Sequence, residues 1–492
     1  MASFLPFVLQ LFYLSITPAS VFISLVTGCL LLNIRAFSDL RKGGLPSLRT
    51  LSIRFRTFRI EWYELPYLLI LGFLVVVSVW RCYYLPPTSR DALSGPEAIA
   101  EFAVREHTMI NSFFSIDLWT TNNQFKSPFL ISLQIIYKMA GFPFGQVWLS
   151  IIFVSFTVLL YQVLKERVHP VIAGVLLLIL MMVPELYAYT FMILYDYSNM
   201  VYLFLGLYFL FEYFKDRLPA NFYFAALLIG IATYIRSETL LLAALFIPPI
   251  LLAAFREKFS YGRMALMAGL FMLPSLIGYY LPTQLYIKHY LPVRYDIGSL
   301  VNPHLSDLHP LFARYGDIVT HLMTGTFAIH LWGYIMYVFF FLLLAEALMM
   351  RGFNKDARNW LYAILAIYGG LGILGWLLPL IDLNDTTKRA LFKILPLMLM
   401  YMASNEWLLR VSAWIRRWEH APLLGQLAVS KGVSPAGGKL MRNPTGDGDA
   451  GAAKGAAGAK GAGGAGAGGA GKGKPGDGAS GGAGAKGKKK RR

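Results

Sequence analysis

Apolar residues along this chain come in blocks rather than in stripes. Runs of mostly Leu, Ile, Val, Phe, Ala and Met fall at about 5–33, 65–84, 143–164, 169–187, 193–213, 219–235, 237–255, 264–282, 331–350, 360–380 and 390–409. A run near twenty residues with few charges is what a helix needs to cross the hydrocarbon of a bilayer. The pattern therefore predicts an all-α polytopic membrane protein with about eleven transmembrane helices. "ITPAS" (16–20) interrupts the first run, so 5–33 reads as one tilted span or as a hairpin. That run is too long for a signal peptide and lacks a basic start.

The polar segments between the runs carry a second pattern. Basic residues cluster at 35–61 (Arg35, Arg41, Lys42, Arg49, Arg54, Arg56, Arg59), Lys165/Arg167, Lys215/Arg217, Arg256/Lys258/Arg263, Arg351/Lys355/Arg358 and Arg410/Arg416/Arg417. With the spans placed as above, all of these fall on one side, which the Lys/Arg bias marks as cytoplasmic. The opposite side receives two long loops, 85–142 and 283–330, and a short one, 381–389. In the first, Ser94-Gly95-Pro96-Glu97 reads as a capping box opening a helix of about 95–110, with Glu101 and Arg105 paired four apart on its face. "FLISLQIIYKMAG" (129–141) is apolar but too short to span, and reads as a helix lying at the interface.

These patterns divide the chain into an N-terminal membrane segment (1–34), a basic loop (35–64), a membrane domain (65–410), a basic juxtamembrane segment (411–432) and a tail (433–492). Composition agrees: 56% of the 492 residues are hydrophobic and only 15% charged, well below the quarter usual in soluble domains. The net charge of +18 resembles a nucleic-acid signal until its distribution is seen. Twelve Lys/Arg against three Asp put half of it in the Ala/Gly/Lys-rich tail, which cannot bury a core. No specific nucleic-acid partner is expected; membrane lipids are. Cys29 and Cys82 fall near opposite ends of neighbouring spans and are expected to stay unpaired.

Chemistry-bearing residues gather on the non-cytoplasmic side. Asp91, just past the second run and preceded by Arg90, is a candidate general base for a hydroxyl. Asp196 opens a later run in "MILYDYSNM", and an ionisable group at membrane depth is a functional candidate by default. Arg236 and Glu238 break two runs with almost no loop between them; they can pair with each other, or Arg236 can take a phosphate through its planar fork. Lys388 and Arg389 precede the last run. Glu97, Glu238, His304 and His309 are possible substrate contacts. His304 and His309, with Asp307 between them, make a divalent metal conceivable, but no metal motif is present and no cofactor is required.

"PPTSRDALSGPEAIAEF" (86–102), "YDYSNMVYLFLGLYFLF" (195–211) and "KRALFKILPLMLMY" (388–401) together resemble the polytopic GT-C glycosyltransferases, the superfamily of protein O-mannosyltransferases and lipid A aminoarabinose transferases. The resemblance covers about 65–410. It departs at Arg90-Asp91-Ala92, where members often have two adjacent acids, and at Phe125-Lys126-Ser127-Pro128, where many have Tyr-His-Pro-Pro. It implies a GT-C-like fold and inverting transfer of a sugar from a polyprenyl-phosphate donor to a lipid, glycan or protein acceptor. Asp91, taking the acceptor hydroxyl's proton, and Asp196 would be the catalytic carboxylates. Arg90, Arg236, Lys388 and Arg389 would hold the donor phosphate. The enzyme would sit in a bacterial inner membrane with its site facing the periplasm. The alternatives are a transporter or flippase for a lipid-linked or anionic substrate, or an O-antigen-type polymerase or ligase.

Overall fold

In the computed structural model, the described residues are 2–33, 60–115, 126–142, 144–289, 308–349, 353–377 and 390–419, and every regular element among them is helical. The first elements are α1 (Leu5–Leu11) and α2 (Pro18–Leu32). Between them the chain turns at Tyr13, in the left-handed region at φ 56°, and Thr17 caps α2 by accepting from the Ser20 amide. The first run is thus two helices, not one span. A 3-10 turn, Trp62–Glu64, leads into α3 (Leu65–Tyr84). Pro86 and Pro87 follow α3 and cannot continue it.

Beyond α3 come α4 (Arg90–Leu93), α5 (Pro96–Glu106), α6 (Pro128–Met139), α7 (Val147–Arg167), α8 (Pro170–Met181), α9 (Pro184–Tyr189), α10 (Tyr195–Asp216) and α11 (Pro219–Ile235). The second half holds α12 (Thr239–Ala244), α13 (Ile247–Arg256), α14 (Tyr261–Tyr280), α15 (Leu308–Thr326), α16 (Ile329–Trp332), α17 (Ile335–Met349), α18 (Lys355–Leu377), α19 (Leu395–Ser404) and α20 (Glu406–Glu419). A π-helical segment, Leu281–Lys288, prolongs α14.

Eleven transmembrane helices are not what these residues form. Among the described residues four stretches are long and apolar enough to cross a membrane: Trp62–Tyr84, Val147–Arg167, Thr239–Arg256 and Tyr261–Lys288. They correspond to the expected runs at 65–84, 143–164, 237–255 and 264–282. The expectation of eleven spans in a GT-C-like arrangement fails because an apolar run measures composition, whereas a span needs unbroken helix. At 1.5 Å per residue, crossing some 30 Å takes about twenty residues. The run at 169–187 breaks before Pro184, leaving α8 only twelve residues. The run at 331–350 is divided by Gly333, at φ 57°, leaving α17 fifteen residues. In α10, long enough at 22 residues, Asp196, Ser198, Asn199 and repeated tyrosines dilute the apolar character. The coarser expectation stands: an all-α protein with several long apolar helices, as a multi-pass membrane protein has.

Two local expectations also change. Ser94 does not cap α5; its hydroxyl donates to the Arg90 carbonyl, 2.8 Å away, and Gly95 occupies the cap position. The Glu101–Arg105 pair does form, at 2.9 Å. The helix expected at the interface, α6, is instead enclosed by protein over its first eight residues. A single polar cluster explains why it can be. Gln134 donates to the Phe144 carbonyl (3.0 Å) and accepts from the Trp148 indole (2.6 Å), while Lys138 bridges Glu97 (2.6 Å) and Glu101 (3.0 Å). Gln134 and Lys138, which α6 would otherwise bury unsatisfied, are thereby paired, while the buried Ser132 hydroxyl is not.

The N-terminal helices dock on this same unit. Phe7, Ile16 and Val21 pack with Ile99, Met109 and Ile131, and the Ile16 amide donates to the His107 carbonyl at 2.8 Å. The main core runs through α7, α10, α11, α18 and α19, where Phe153, Phe204, Trp360 and Tyr401 are almost fully buried. α11 and α14 approach closely: a Cβ on Gly230 would meet the Pro274 Cβ at 2.6 Å, and one on Gly278 would strike the Gly230 carbonyl. Small residues at such crossings let helix backbones touch.

The charged loops sort to the two ends of this bundle. At one end Arg167 binds Glu212 (3.1 Å) and Asp356 (3.2 Å), Lys215 binds Asp356 (2.8 Å), Arg217 binds Glu257 (2.7 Å) and His169 meets Glu419 (3.2 Å). Arg167, Lys215 and Arg217 are members of the basic clusters assigned to one side from sequence. Arg35 to Arg59 and Arg351 lie outside the described residues, as do the juxtamembrane residues from 420 onward and the tail.

Candidate functional site

At the opposite end, α4 is a single helical turn fixed by Ser89, whose hydroxyl accepts from the Ala92 amide at 3.3 Å. That turn holds Asp91 just beyond the spanning helix α3. Its carboxylate stands 3.9 Å from the Lys126 ammonium, a looser contact than a hydrogen bond, with side chains 31% and 35% exposed. Lys126 also lies over the Tyr195 ring, 5.8 Å from its centre. Tyr195 donates to the Ser127 carbonyl at 2.8 Å, and Ser127 in turn donates to the Tyr234 carbonyl. The segment 126–127 therefore ties the Asp91 turn to the first turn of α10 and the last of α11.

Next to Tyr195 the chain buries a group of charges. Asp196, 1% exposed, pairs with Arg236; Arg236 also reaches Glu238 through Nε at 2.6 Å; and Lys393, 2% exposed, lies 3.4 Å from the same Glu238 oxygen. Helix ends explain this arrangement. Asp196 is in the first turn of α10 and Glu238 is the residue before α12, both at positive helix poles. Arg236 caps the C-terminus of α11, a negative pole. Acids and bases alternate and their formal charges cancel, which is how ionised groups tolerate burial. One turn deeper, Asn199 donates to the Ala232 carbonyl (2.7 Å) and to the Thr239 hydroxyl (2.9 Å).

The sequence-derived candidates thus divide. Asp91 stands half-exposed beside Lys126. Asp196, Arg236 and Glu238 come together, but as a paired cluster: two faces of the Arg236 guanidinium are occupied by carboxylates. Glu97 belongs to the α5–α6 joint, on Lys138 and Gln134. There, the hydrogen bond and charge of Lys138, helped by Arg105 and opposed by partial burial, hold the Glu101 carboxyl below its ordinary range. Arg90 is in the same short turn as Asp91, its carbonyl accepting from Ser94. Lys388, Arg389 and His304 lie outside the described residues, and His309 falls in the first turn of α15. Among the described residues no group of three His, Cys, Asp or Glu side chains is arranged to hold a metal ion. Cys29 and Cys82 are both unpaired.

Sequence reasoning missed Lys126 and Lys393. Lys126 reads as a boundary residue before Ser127-Pro128. Lys393 was legible: it is a lone cation inside the apolar run at 390–409, and such a residue requires a partner. The tyrosine hydroxyls at Tyr234 and Tyr286 are a third omission. Both are buried and make no hydrogen bond, and Phe4 and Phe7 pack edge-on against the two rings at 5.5 and 5.6 Å.

No protein-family model matches the chain, and comparison with curated proteins and with solved structures finds no match. Function is therefore argued from the site alone.

Proposed function

We propose that the protein is a membrane glycosyltransferase that moves a sugar from a polyprenyl-phosphate donor to a hydroxyl of a lipid, glycan or protein acceptor. The observation that carries this reading is the half-exposed Asp91–Lys126 pair beyond a spanning helix, backed by the buried Asp196–Arg236–Glu238–Lys393 cluster. Asp91 takes the proton of the acceptor hydroxyl. The oxygen attacks the anomeric carbon from the face opposite the phosphate, the bond from that carbon to the phosphate oxygen breaks, and the configuration inverts. Lys126, in contact with Asp91, holds the base carboxylate in place. The charge that grows on the departing lipid phosphate, on the opposite face of the sugar, falls to the cations the resemblance implies, Lys388 and Arg389, and a group that meets charge only as it develops accelerates the step. Asp196 and Arg236 act as positioning residues, fixing the helix ends that carry Tyr195 and segment 126–127. The lipid-borne phosphate explains why such a site stands at the end of a spanning helix. The basic loops at the other end support a cytoplasmic placement of that end, and this reading puts the site on the outer face of a bacterial inner membrane.

Cells lacking the protein, complemented with wild type or with Asp91→Asn at equal membrane levels, test this by mass profile of envelope glycolipids and glycoproteins. Wild type is expected to restore a sugar-sized mass increment. Asp91→Asn is expected to lose it, since removal of a general base costs about 10²–10⁴ in rate. Equal restoration by both proteins would remove Asp91 from the chemistry and bring the transporter or flippase reading forward.

A further inference from the structure

α20 is unlike the other helices of its length. Its fourteen residues, EWLLRVSAWIRRWE, are too few and too polar to cross a bilayer, yet it presents tryptophan to the outside. At 100° per residue, Trp407, Trp414 and Trp418 lie within about 40° of one another, and Arg410 and Arg417 fall together on one flank of that stripe. Trp414 is 66% and Trp418 74% exposed. The face that carries Leu408, Ser412 and Ile415 turns to the protein, with Ser412 buried, while Arg416 across the helix is exposed and Arg410 also reaches Glu406 at 3.4 Å.

Both ends of the helix are pinned. At its start, Asn405 accepts from the Trp407 amide (3.0 Å) and the Leu408 amide (3.3 Å) and donates to the buried Glu346 (2.7 Å), which also accepts from Tyr401 (2.6 Å) and from the Glu406 amide (3.3 Å). Toward its end, Ser412 accepts from the His169 amide at 2.7 Å, and Glu419 meets the His169 ring at 3.2 Å. The buried Glu346 thus has a structural assignment. It anchors α20 so that the tryptophan stripe cannot turn inward.

We propose that α20 lies in the plane of the membrane interface as a preformed anchor, with its tryptophans at the acyl boundary and Arg410 and Arg417 on anionic phospholipid headgroups. A basic amphipathic helix with Trp on one face binds membrane surfaces in this way. Charge selects this occupant over the chain's own tail, which carries +9 over residues 433–492 and would be repelled by the two arginines. A second copy of the chain is separated from lipid by the test below, as protection from both quenchers. An anionic headgroup complements them, and α20 belongs to the end where the other basic loops collect.

The test uses the full-length protein in phosphatidylcholine vesicles with and without phosphatidylglycerol. Subtracting the emission of Trp414→Phe/Trp418→Phe from that of wild type isolates the two exposed indoles. This difference emission is expected to be quenched by lipids brominated near the headgroup end of the acyl chain and shielded from aqueous iodide. Brominated phosphatidylglycerol is expected to quench several-fold more than brominated phosphatidylcholine at equal fraction, and that ratio to fall stepwise to about one as the arginines are removed in Arg410→Gln and then Arg410→Gln/Arg417→Gln. All four side chains point outward, so these variants fold. Quenching by iodide but not by lipid would put the face in water and overturn the proposal. Protection from both would mean that protein covers it. A headgroup ratio near one, or one unmoved by the arginine changes, would overturn the anionic-lipid assignment.

Discussion

The two ends of the helical bundle both hold acid–base clusters, built from the same residue types in different surroundings. At the basic end, Arg167, Lys215, Glu212 and Asp356 form a network whose side chains keep about a seventh to a third of their surface in water. At the site end, Arg236 and Glu238 keep about a fifth of their surface, but the partners they hold, Asp196 and Lys393, are almost wholly enclosed. In water, charge pairs are screened and contribute little; enclosed, each depends on its partner, and deleting one leaves a charge that the protein cannot solvate. The Arg167 network can therefore tolerate change, as the buried Glu64 and Glu346 at the same end cannot, while the Asp196 cluster is rigid around one more accessible pair, Asp91 and Lys126. A site meant to hold a reacting group in place needs that contrast.

The largest effect is expected at the enclosed cluster. Arg236→Met removes the cation between Asp196 and Glu238 and is expected to destabilise the protein by about 3–5 kcal/mol, read as a large fall in the thermal unfolding midpoint in detergent. The matching change at the other end, Arg167→Met, breaks contacts to Glu212 and Asp356 and is expected to cost about 1 kcal/mol, less at high salt. Equal losses from the two substitutions would break the comparison and show that burial does not separate the two ends.

That contrast was only half legible in the sequence. Lys/Arg counts grouped Arg167, Lys215, Arg256 and Arg410 on one side, and where these regions are described they meet through ion pairs, because topology is written in loop composition. Asp196, Arg236 and Glu238 stood out because charge within apolar sequence is rare. The Arg236–Glu238 pair was legible in the short turn between two runs and forms at 2.6 Å; the pairing of Arg236 with Asp196 was not, since it depends on α10 and α11 running side by side so that residue 196 meets residue 236. Lys393 was readable but unread. The span count failed at Pro184 and Gly333, where hydropathy averages across a break that the backbone cannot ignore. The enclosure of α6 was hidden because burial by lipid and burial by protein select the same apolar residues; Gln134 and Lys138 were the clue that protein, with its own polar partners, surrounds it.

A smaller, pH-dependent effect is expected at the joint between α5 and α6, on the site side. Lys138 lowers the Glu101 pKa below its unfolded value. A carboxyl lowered in the folded state contributes stability that is fully present above its unfolded pKa and is lost as pH falls through the folded one. Wild type is therefore expected to be more stable than Glu101→Gln near neutrality, with the two midpoints converging as the solution becomes strongly acidic. A difference that persists unchanged into acid would assign the contribution of Glu101 to packing rather than to its charge.

The smallest effects on stability are expected from two tyrosines near the site end whose buried hydroxyls make no hydrogen bond, Tyr197 and Tyr286. Tyr197 packs edge-on against Phe153 and Phe156, and Tyr286 against Phe7. Removing a buried hydroxyl that has no partner removes its desolvation cost, so Phe at either position is expected to be neutral or stabilising by about 1 kcal/mol. Activity should separate them. Tyr197 faces only hydrocarbon rings, and Tyr197→Phe is expected to leave sugar transfer unchanged. Tyr286 sits in the π-helical segment Leu281–Lys288, a geometry that is rare and frequent at functional sites. If its hydroxyl serves substrate, Tyr286→Phe gives a protein at least as stable as wild type with reduced transfer, a combination that a packing role alone cannot produce. If transfer is unchanged in both, the unmet hydroxyls at this end are a cost of packing tyrosine-rich helices, and the working surface of the site narrows to Asp91 and Lys126.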